Sequence, residues 1–173
     1  GPDSYRRIPE IINNRKVQNA HQVDTRLSKF EVYDSMLPLR NSGTNALVSI
    51  SRGCDNFCTF CIVPFTRGRE RSRDMDSIVA EVKDAVINGF NEVTLLGQNV
   101  NSYRTQNGKF PELMELVAQV PGVERIRYMS PHPQDMDEDL IKVMAKYKNI
   151  CDYIHLPLQA GSDRILKRMN RTY

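Results

Sequence analysis

The chain has 173 residues, of which 40% are hydrophobic and 26% are charged, and its formal net charge is +3. These proportions are typical of a globular protein and exclude a chain that is disordered throughout, a collagen and a coiled coil. No apolar run approaches the ~20 residues of a membrane span. The N-terminal residues also lack the basic start and apolar stretch of a signal peptide. We therefore expect a cytoplasmic protein that makes no contact with a membrane.

The positive charge is concentrated in one segment of the chain. Between Arg52 and Arg73, five arginines stand against two acidic residues, so this segment carries +3 and the remainder sums to zero. A local excess of this kind predicts an anionic partner at that segment rather than a generally basic surface.

The chain divides into two parts by pattern, with the boundary between residues 43 and 44. Residues 1–43 are polar and lack a sustained period, although residues 8–12 are compatible with one helical turn or more. This part is predicted to be an irregular arm, and the turn-forming residues 41–45 close it. Residues 44–173 change to alternating strand and helix patterns, so they are predicted to form an α/β unit.

Four strand patterns follow one another in residues 44–173, and each precedes a helix pattern. The predicted strands are 46–51, 92–96, 125–129 and 153–156. The predicted helices are 75–88, 111–119, 138–147 and one that begins near residue 162 and runs to the end of the chain. This alternation predicts a parallel sheet with helical crossovers, either doubly wound or part of a (β/α) barrel. Because the last helix does not end, we expect an open, truncated barrel.

Polar segments follow the predicted strands at the edge where ligands bind in both kinds of sheet. These segments are 52–73, 97–101, 130–133 and 157–162. The first of them contains three of the four cysteines, in the order Cys54-Asp-Asn-Phe-Cys58-Thr-Phe-Cys61.

Three thiolates on one short loop are soft ligands that suit an iron–sulfur cluster or zinc. A structural zinc would need a fourth protein ligand, for which Cys151, His132 and His155 are the candidates. A 4Fe–4S cluster held by three cysteines instead has one iron free for another ligand. The spacing favours the cluster and leaves zinc and unligated thiols as alternatives. Otherwise Cys151 and His155 are expected to be buried, and His132 to lie on the rim of the site or contact substrate.

The cysteine spacing, with the aromatic Phe60 before the third cysteine, resembles that of the radical S-adenosylmethionine (SAM) enzymes. The whole stretch 51–73 is similar to the signature of the methylthiotransferases within that group. The sequence Leu95-Leu-Gly-Gln-Asn-Val-Asn101 resembles the branch that modifies tRNA, and segments 130–133 and 155–166 also match the family. Residues 1–10 resemble the tail of the family's N-terminal domain.

The resemblance implies a partial radical SAM (β/α) barrel of about four βα units with an irregular N-terminal arm. Residues 1–43 would be the tail of the N-terminal methylthiotransferase domain plus a linker, and 44–173 the first part of the radical SAM core. The family's N-terminal domain carries an auxiliary 4Fe–4S cluster, whose cysteines this chain lacks. The chain alone is therefore expected to be inactive. We expect the parent protein to be a monomer. The chain itself could form a dimer in a crystal through its open sheet edge, since exposed edges tend to pair.

The resemblance also implies a reaction. Cys54, Cys58 and Cys61 would bind a 4Fe–4S cluster whose free iron chelates SAM. An electron donor would drive reductive cleavage of SAM to a 5′-deoxyadenosyl radical. A methylthio group would then enter at C2 of N6-isopentenyladenosine at position 37 of a tRNA, beside the anticodon. The alternatives are a methylthiotransferase that acts on a ribosomal protein or on threonylcarbamoyl-adenosine, and a zinc-stabilised RNA-binding module.

Two further sets of residues receive roles from the resemblance. The residues implied to contact SAM are Phe60, Gly97, Gln98, Asn99, Ser130 and Gln159. Each also has a purely structural explanation, such as packing for the phenylalanine and a tight turn for the glycine. The candidates for RNA contact are Arg67, Arg69, Arg71 and Arg73. Their alternate positions would place all four on one side of an extended segment, where they would bind tRNA phosphate or the SAM carboxylate, or be solvated.

Overall fold

The computed structural model describes residues 1–173 and contains six α-helices and a parallel sheet. The helices are α1 (Ile8–Gln18), α2 (Val63–Arg67), α3 (Met75–Ile87), α4 (Phe110–Ala118), α5 (Glu138–Lys146) and α6 (Asp163–Arg168). The strands of the sheet are β1 (Asn45–Ser49), β2 (Glu92–Leu96) and β3 (Arg125–Met129). Short 3-10 turns occupy Tyr5–Arg7, Val100–Ser102 and Pro133–Asp135. None of the helices combines the length and apolar character needed to cross a bilayer.

The sheet is parallel, and the spatial order of its strands, β1-β2-β3, is the same as their order along the chain. Ala46 lies opposite Val93, and Val93 lies opposite Ile126, so these small and branched side chains share one face of the sheet. Because side chains alternate along a strand, this face is apolar throughout and packs on the helices. The predicted parallel sheet with helical crossovers is therefore confirmed.

Helices α3 and α4 cover this apolar face. Their buried residues recur at helical spacing: Ile78, Val82 and Ala85 on α3, and Leu113, Met114 and Val117 on α4. Asp74 caps the start of α3, because its carboxylate accepts hydrogen bonds from the N–H groups of Asp76 and Ser77 and so satisfies free donors of the first turn. The core of the molecule is the layer between these helices and the sheet.

The loop after β1 leaves the sheet and returns to it. Ser51–Arg52 pairs in antiparallel fashion with Arg71–Ser72, so residues 53–70 form a closed excursion at the carboxyl edge of the sheet. This excursion contains all three clustered cysteines and α2, and together with its ribbon (residues 51–72) it is called the cysteine loop. A second small ribbon, Arg104–Thr105 with Gly108–Lys109, precedes α4.

Two predictions about the C-terminal part are wrong. Residues 153–156 form no strand, because only Ile150 pairs with β3, through a single parallel bridge to Ile126. The fourth helix also ends, at Arg168, where Asn170 adopts a left-handed conformation with φ +56°. Asparagine is one of the few residues that adopt this conformation readily, and it commonly terminates a helix.

The N-terminal arm is more ordered than its composition predicts. Helix α1 spans eleven residues and buries none of them. The arm is attached to the cysteine loop through Asp3, whose side chain is 1% exposed and forms ion pairs with Arg52 and Arg71. Asp3 also accepts a hydrogen bond of 2.8 Å from the Ser28 N–H, and the Arg52 guanidinium stacks over the Tyr33 ring.

Candidate active site

One cavity at the carboxyl edge of the sheet brings together segments that are far apart in sequence. It lies between the cysteine loop, the ends of β2 and β3, and the residues before and after α6. Thirteen residues line it, namely Cys54, Asn56, Cys58, Phe60, Cys61, Gln98, Asn99, Ser130, Pro131, His132, His155, Pro157 and Arg171. All three clustered cysteines therefore face a common space, and no carboxylate lines it.

Backbone contacts fix the start of the cysteine loop against the end of β2. The Gly53 N–H donates to Gln98 Oε1 at 2.6 Å, and the Cys54 N–H donates to the Gly68 carbonyl at 3.2 Å. Gly53 has φ +78°, and a Cβ there would lie 2.2 Å from the Arg69 carbonyl oxygen. Glycine is required at this position both for its conformation and for the space.

Burial controls the chemistry of the first thiol. It raises the pKa of Cys54, and the nearby Glu70 and the other two cysteines add to this shift because they disfavour another negative charge. A hydrogen bond from the Asn56 N–H opposes the shift. Without a positive partner, Cys54 therefore holds its proton at neutral pH, and a bound metal centre would displace that proton.

The loops after β2 and β3 are joined by an asparagine. Asn101 Nδ2 donates to the His132 carbonyl at 3.0 Å, and its Oδ1 accepts from the His132 N–H at 2.7 Å. Asn99 Nδ2 donates to Asp135 at 2.6 Å, whereas the buried Asn99 Oδ1 has no partner. This pairing holds Asn99 and His132 at the cavity wall.

His132 is held in one tautomer. Its Nδ1 accepts a hydrogen bond from the Gln134 N–H, so the neutral ring carries its proton on Nε2, which is buried without an acceptor. Burial lowers the pKa of His132, and the positive charge of Arg171 lowers it further. His132 therefore offers a neutral N–H donor at the cavity.

Two residues that shape the site, Asn170 and Arg171, were not predicted from the sequence. Asn170 Nδ2 donates to the carbonyls of Asn56 and Phe57 and so attaches the end of α6 to the cysteine loop. Arg171 then lines the cavity, with its guanidinium over the Phe60 ring. Neither residue belongs to a spaced motif, and the only sequence signal was an asparagine able to end the helix.

The structure places the residues implied to contact SAM in two groups. Phe60, Gln98, Asn99 and Ser130 line the cavity with the cysteines. Gly97 does not line the cavity, and a Cβ added there would collide with Ser51 Oγ. Gln159 is exposed and does not line the cavity. Contact with SAM stays a prediction for all six residues.

The prediction that four arginines share one side of the basic segment is wrong. The Arg73 side chain is 5% exposed and forms an ion pair with Glu81, and the Arg71 side chain is 8% exposed and pairs with Asp3. Arg67 and Arg69 are exposed, but Arg69 forms a salt bridge with Asp55. Arg67 ends the helix α2, whereas the buried carboxylates of Asp3 and Glu81 hold Arg71 and Arg73 inside the protein, so the four side chains do not share a face. Only Arg67 is both exposed and without an acidic partner.

The burial expected for two other residues is also wrong. His155 is exposed and lines the cavity, because residues 153–156 are not in the sheet. Cys151 is half-buried and lies outside the cavity lining.

The residues of the cavity fit a 4Fe–4S cluster and SAM by donor chemistry. Three thiols supply the ligands that iron–sulfur clusters use. Polar atoms of Asn99, His132 and Arg171 are buried at the same cavity without partners, and buried polar groups normally have them. No three side chains are close enough together to hold a metal ion as they stand, so the thiols would have to close around the cluster.

Comparison with known proteins identifies the family. The sequence profile described as the Radical SAM superfamily matches residues 48–173. The chain belongs to the radical SAM superfamily. Members of this superfamily use a 4Fe–4S cluster together with SAM, and the donor set of the cavity agrees with that.

Several curated relatives are similar over the whole chain. Proteins named tRNA-2-methylthio-N(6)-dimethylallyladenosine synthase from Porphyromonas gingivalis (strain W83) and Bacteroides thetaiotaomicron are each 52% identical to it. The protein of that name from Christiangramia forsetii is 49% identical. The alignments cover 100% of this chain but only 38–40% of these relatives. The chain thus spans about two fifths of their length.

Solved structures of radical SAM enzymes share the fold. The methyltransferase TsrM from Kitasatospora setae, solved with tryptophan and a SAM analogue, superimposes with a TM-score of 0.61 at 14% identity, covering 85% of this chain and 31% of that one. The cobalamin-dependent radical enzyme OxsB superimposes with a TM-score of 0.54 at 18% identity, covering 73% of this chain and 20% of that one. The predicted partial radical SAM barrel is confirmed.

Proposed function

We propose that the chain is part of a tRNA methylthiotransferase that adds a methylthio group to C2 of N6-isopentenyladenosine at position 37 of tRNA. The observation that carries this proposal is the 47–52% identity to synthases of that name over the whole length of the chain. The cavity supports it, because all three clustered cysteines face it together with polar atoms that have no partner. A cytoplasmic location, a monomeric parent, an electron donor and an auxiliary cluster outside this chain belong to the same proposal.

When bound, the cluster and SAM would supply one-electron radical chemistry. The residues of the chain provide the position. Cys54, Cys58 and Cys61 hold the cluster, and Gln98 anchors the start of their loop through the Gly53 N–H. Because the loop is anchored at both ends by backbone hydrogen bonds and by the ribbon of residues 51–52 with 71–72, the thiols stay at the carboxyl edge of the sheet.

Asn99 and His132 form part of the cavity wall. His132 offers an N–H donor that is not charged at neutral pH, and Asn99 offers an acceptor. Both are fixed by hydrogen bonds to neighbouring loops, so a bound molecule would meet preorganised polar groups rather than mobile ones. Phe60 adds an aromatic face between the second and third cysteine.

The zinc-stabilised module is the second candidate because His132 and His155 line the same cavity as the thiols and either could complete a tetrahedral site. Membership of the radical SAM superfamily makes the cluster the stronger assignment.

The experiment that tests the proposal follows the products of SAM. The chain is reconstituted anaerobically with iron and sulfide, reduced with dithionite, and incubated with SAM and an anticodon stem-loop RNA that carries isopentenyladenosine. We expect 5′-deoxyadenosine and methionine, detected by mass spectrometry, and no methylthiolated RNA. A variant with Cys54, Cys58 and Cys61 all replaced by alanine is the control and should yield neither product.

Formation of the methylthio product by the chain alone would contradict the role given to an auxiliary cluster. One zinc per chain and no cleavage of SAM would support the zinc module.

A further inference from the structure

Two arginines, Arg73 and Arg171, are buried over the whole residue, and they differ in their partners. Arg73 is 4% exposed and lies between the carboxylates of Glu81 and Asp34. Arg171 is 9% exposed, but it forms no ion pair, and its Nε and Nη1 atoms are buried without a hydrogen-bond acceptor. A guanidinium remains charged in any protein environment, so Arg171 is a buried positive charge with no counter-ion in the chain.

Such an arrangement is costly unless an anion joins it. Burying an unpaired charge is strongly unfavourable, and the rings of Phe60 and Tyr173, each 5.7 Å from Arg171 Cζ, give only a cation–π contact. The neighbouring His132 adds no negative charge. A bound anion is therefore the group that the site lacks.

The position of Arg171 limits where that anion binds. Arg171 lines the cavity that contains the three cysteines, and none of the thirteen lining residues is acidic. The backbone holds it there, since the Arg171 N–H donates to the Leu166 carbonyl and the side chain of Asn170 is bound to the cysteine loop. The anion must come from a molecule that enters the cavity.

The chemistry of the guanidinium indicates which kind of anion binds there. The planar N–H donors of a guanidinium match the oxygens of a carboxylate or phosphate better than the diffuse charge on sulfur. SAM brings a carboxylate. We propose that Arg171 binds the α-carboxylate of SAM in this cavity and acts as its counter-ion. This inference rests on the proposed function, because it presupposes that the cavity takes up SAM.

The test measures binding rather than turnover. The chain is reconstituted with the cluster, and dissociation constants are measured by anaerobic calorimetry for SAM and for decarboxylated SAM, which lacks only the carboxylate. Arg171→Met removes the charge and keeps a long apolar side chain, and Arg171→Lys keeps the charge without the planar donors. Arg164→Met is the matched control, because Arg164 is exposed on α6 and its replacement changes the net charge equally.

We expect Arg171→Met to weaken SAM binding roughly 10- to 100-fold, the loss that corresponds to a hydrogen bond with a charged partner. The same substitution should leave the affinity for decarboxylated SAM unchanged. The affinity of Arg171→Lys for SAM should lie between those of the wild type and Arg171→Met, and the affinity of Arg164→Met should match that of the wild type. Equal weakening for both ligands, or no weakening for either, would overturn the assignment.

Two further readouts separate this role from other roles. In the chain without cluster or SAM, Arg171→Met should unfold at the same temperature as the wild type or higher, because it removes an unpaired buried charge. A clearly lower midpoint would make Arg171 a structural residue and refute the proposal. If the substitution instead lowers the iron and sulfide content, or alters the cluster's EPR spectrum before SAM is added, the charge serves the cluster and the proposal also fails.

The wild type separates the failure of this inference from that of the proposed function. A wild-type chain that assembles the cluster but binds no SAM overturns both. A wild-type chain that binds SAM while Arg171→Met binds it equally well overturns only the role of Arg171.

Discussion

Replacing Arg73 with methionine tests whether the basic segment is partly a structural element rather than an RNA-binding surface. Arg73 Nη1 donates to Glu81 Oε2 at 2.6 Å and to the Ser49 carbonyl at 2.8 Å, and its Nε donates to Asp34. These contacts join the end of the cysteine loop to α3, β1 and the N-terminal arm. The Glu81 side chain is 3% exposed and also binds Arg40 at 2.6 Å.

The magnitude follows from this burial. Breaking a buried ion pair by removing one partner costs about 3–5 kcal/mol, and we take the lower value because Glu81 keeps Arg40. Arg73→Met should therefore lower the free energy of unfolding by about 3 kcal/mol. For a chain of this length that corresponds to a fall in Tm of about 6–12 °C.

The assay is urea unfolding followed by circular dichroism, with Arg67→Met as the matched control. Arg67 is exposed at the end of α2, so its replacement should change the unfolding free energy by no more than about 0.5 kcal/mol. If Arg67 binds RNA phosphate, that variant should instead reduce the salt dependence of RNA binding. A wild-type stability for Arg73→Met, together with weaker RNA binding, would refute the structural role.

Three further predictions concern the loop and its neighbours. Asp3→Asn should speed amide hydrogen exchange in residues 51–72, because it removes the carboxylate that pairs with Arg52; unchanged exchange would show that the arm does not support the loop. Gly53→Ala should prevent assembly of the cluster, measured as bound iron and sulfide, because its Cβ would collide with the Arg69 carbonyl; full iron content would contradict this. Burial raises the pKa of Glu70, so the contribution of Glu70 to stability should fall as pH rises above the ordinary carboxyl pKa. Glu70→Gln should therefore be more stable than the wild type at pH 7 and equal to it at pH 4. A wild-type advantage at pH 7 would contradict the direction of that shift.

The sheet and its helices could be predicted because their signals are local. In α3, the cap at Asp74 and the spacing of Ile78, Val82 and Ala85 all indicate the same helix. Consistent signals of this kind specify an element without reference to the rest of the chain. The shared location of the three cysteines could also be predicted, because thiols within eight residues of one loop face the same cavity.

The errors lie where structure depends on distant partners. Residues 153–156 have the composition of a strand, but only Ile150 pairs with β3, and a strand is not defined without a partner along its edge. The arginines after the cysteines alternate in sequence, yet the partners of Arg71 and Arg73 are Asp3 and Glu81. Nothing local shows that these carboxylates lie nearby.

Arg171 could not be assigned for the same reason. Its place at the cavity depends on the end of α6 at Arg168 and on the turn at Asn170, whose side chain reaches Asn56 and Phe57. These contacts span more than 110 residues of sequence. Only the folded chain reveals that this arginine is buried without a counter-ion.

The central claim is that Cys54, Cys58 and Cys61 hold a 4Fe–4S cluster with one iron open to SAM. The most direct measurement is anaerobic reconstitution of the chain with iron and sulfide, followed by EPR of the reduced protein with and without SAM. We expect a 4Fe–4S signal that changes when SAM is added and that disappears when the three cysteines are replaced by alanine. No cluster under these conditions, with one zinc bound per chain, would contradict it.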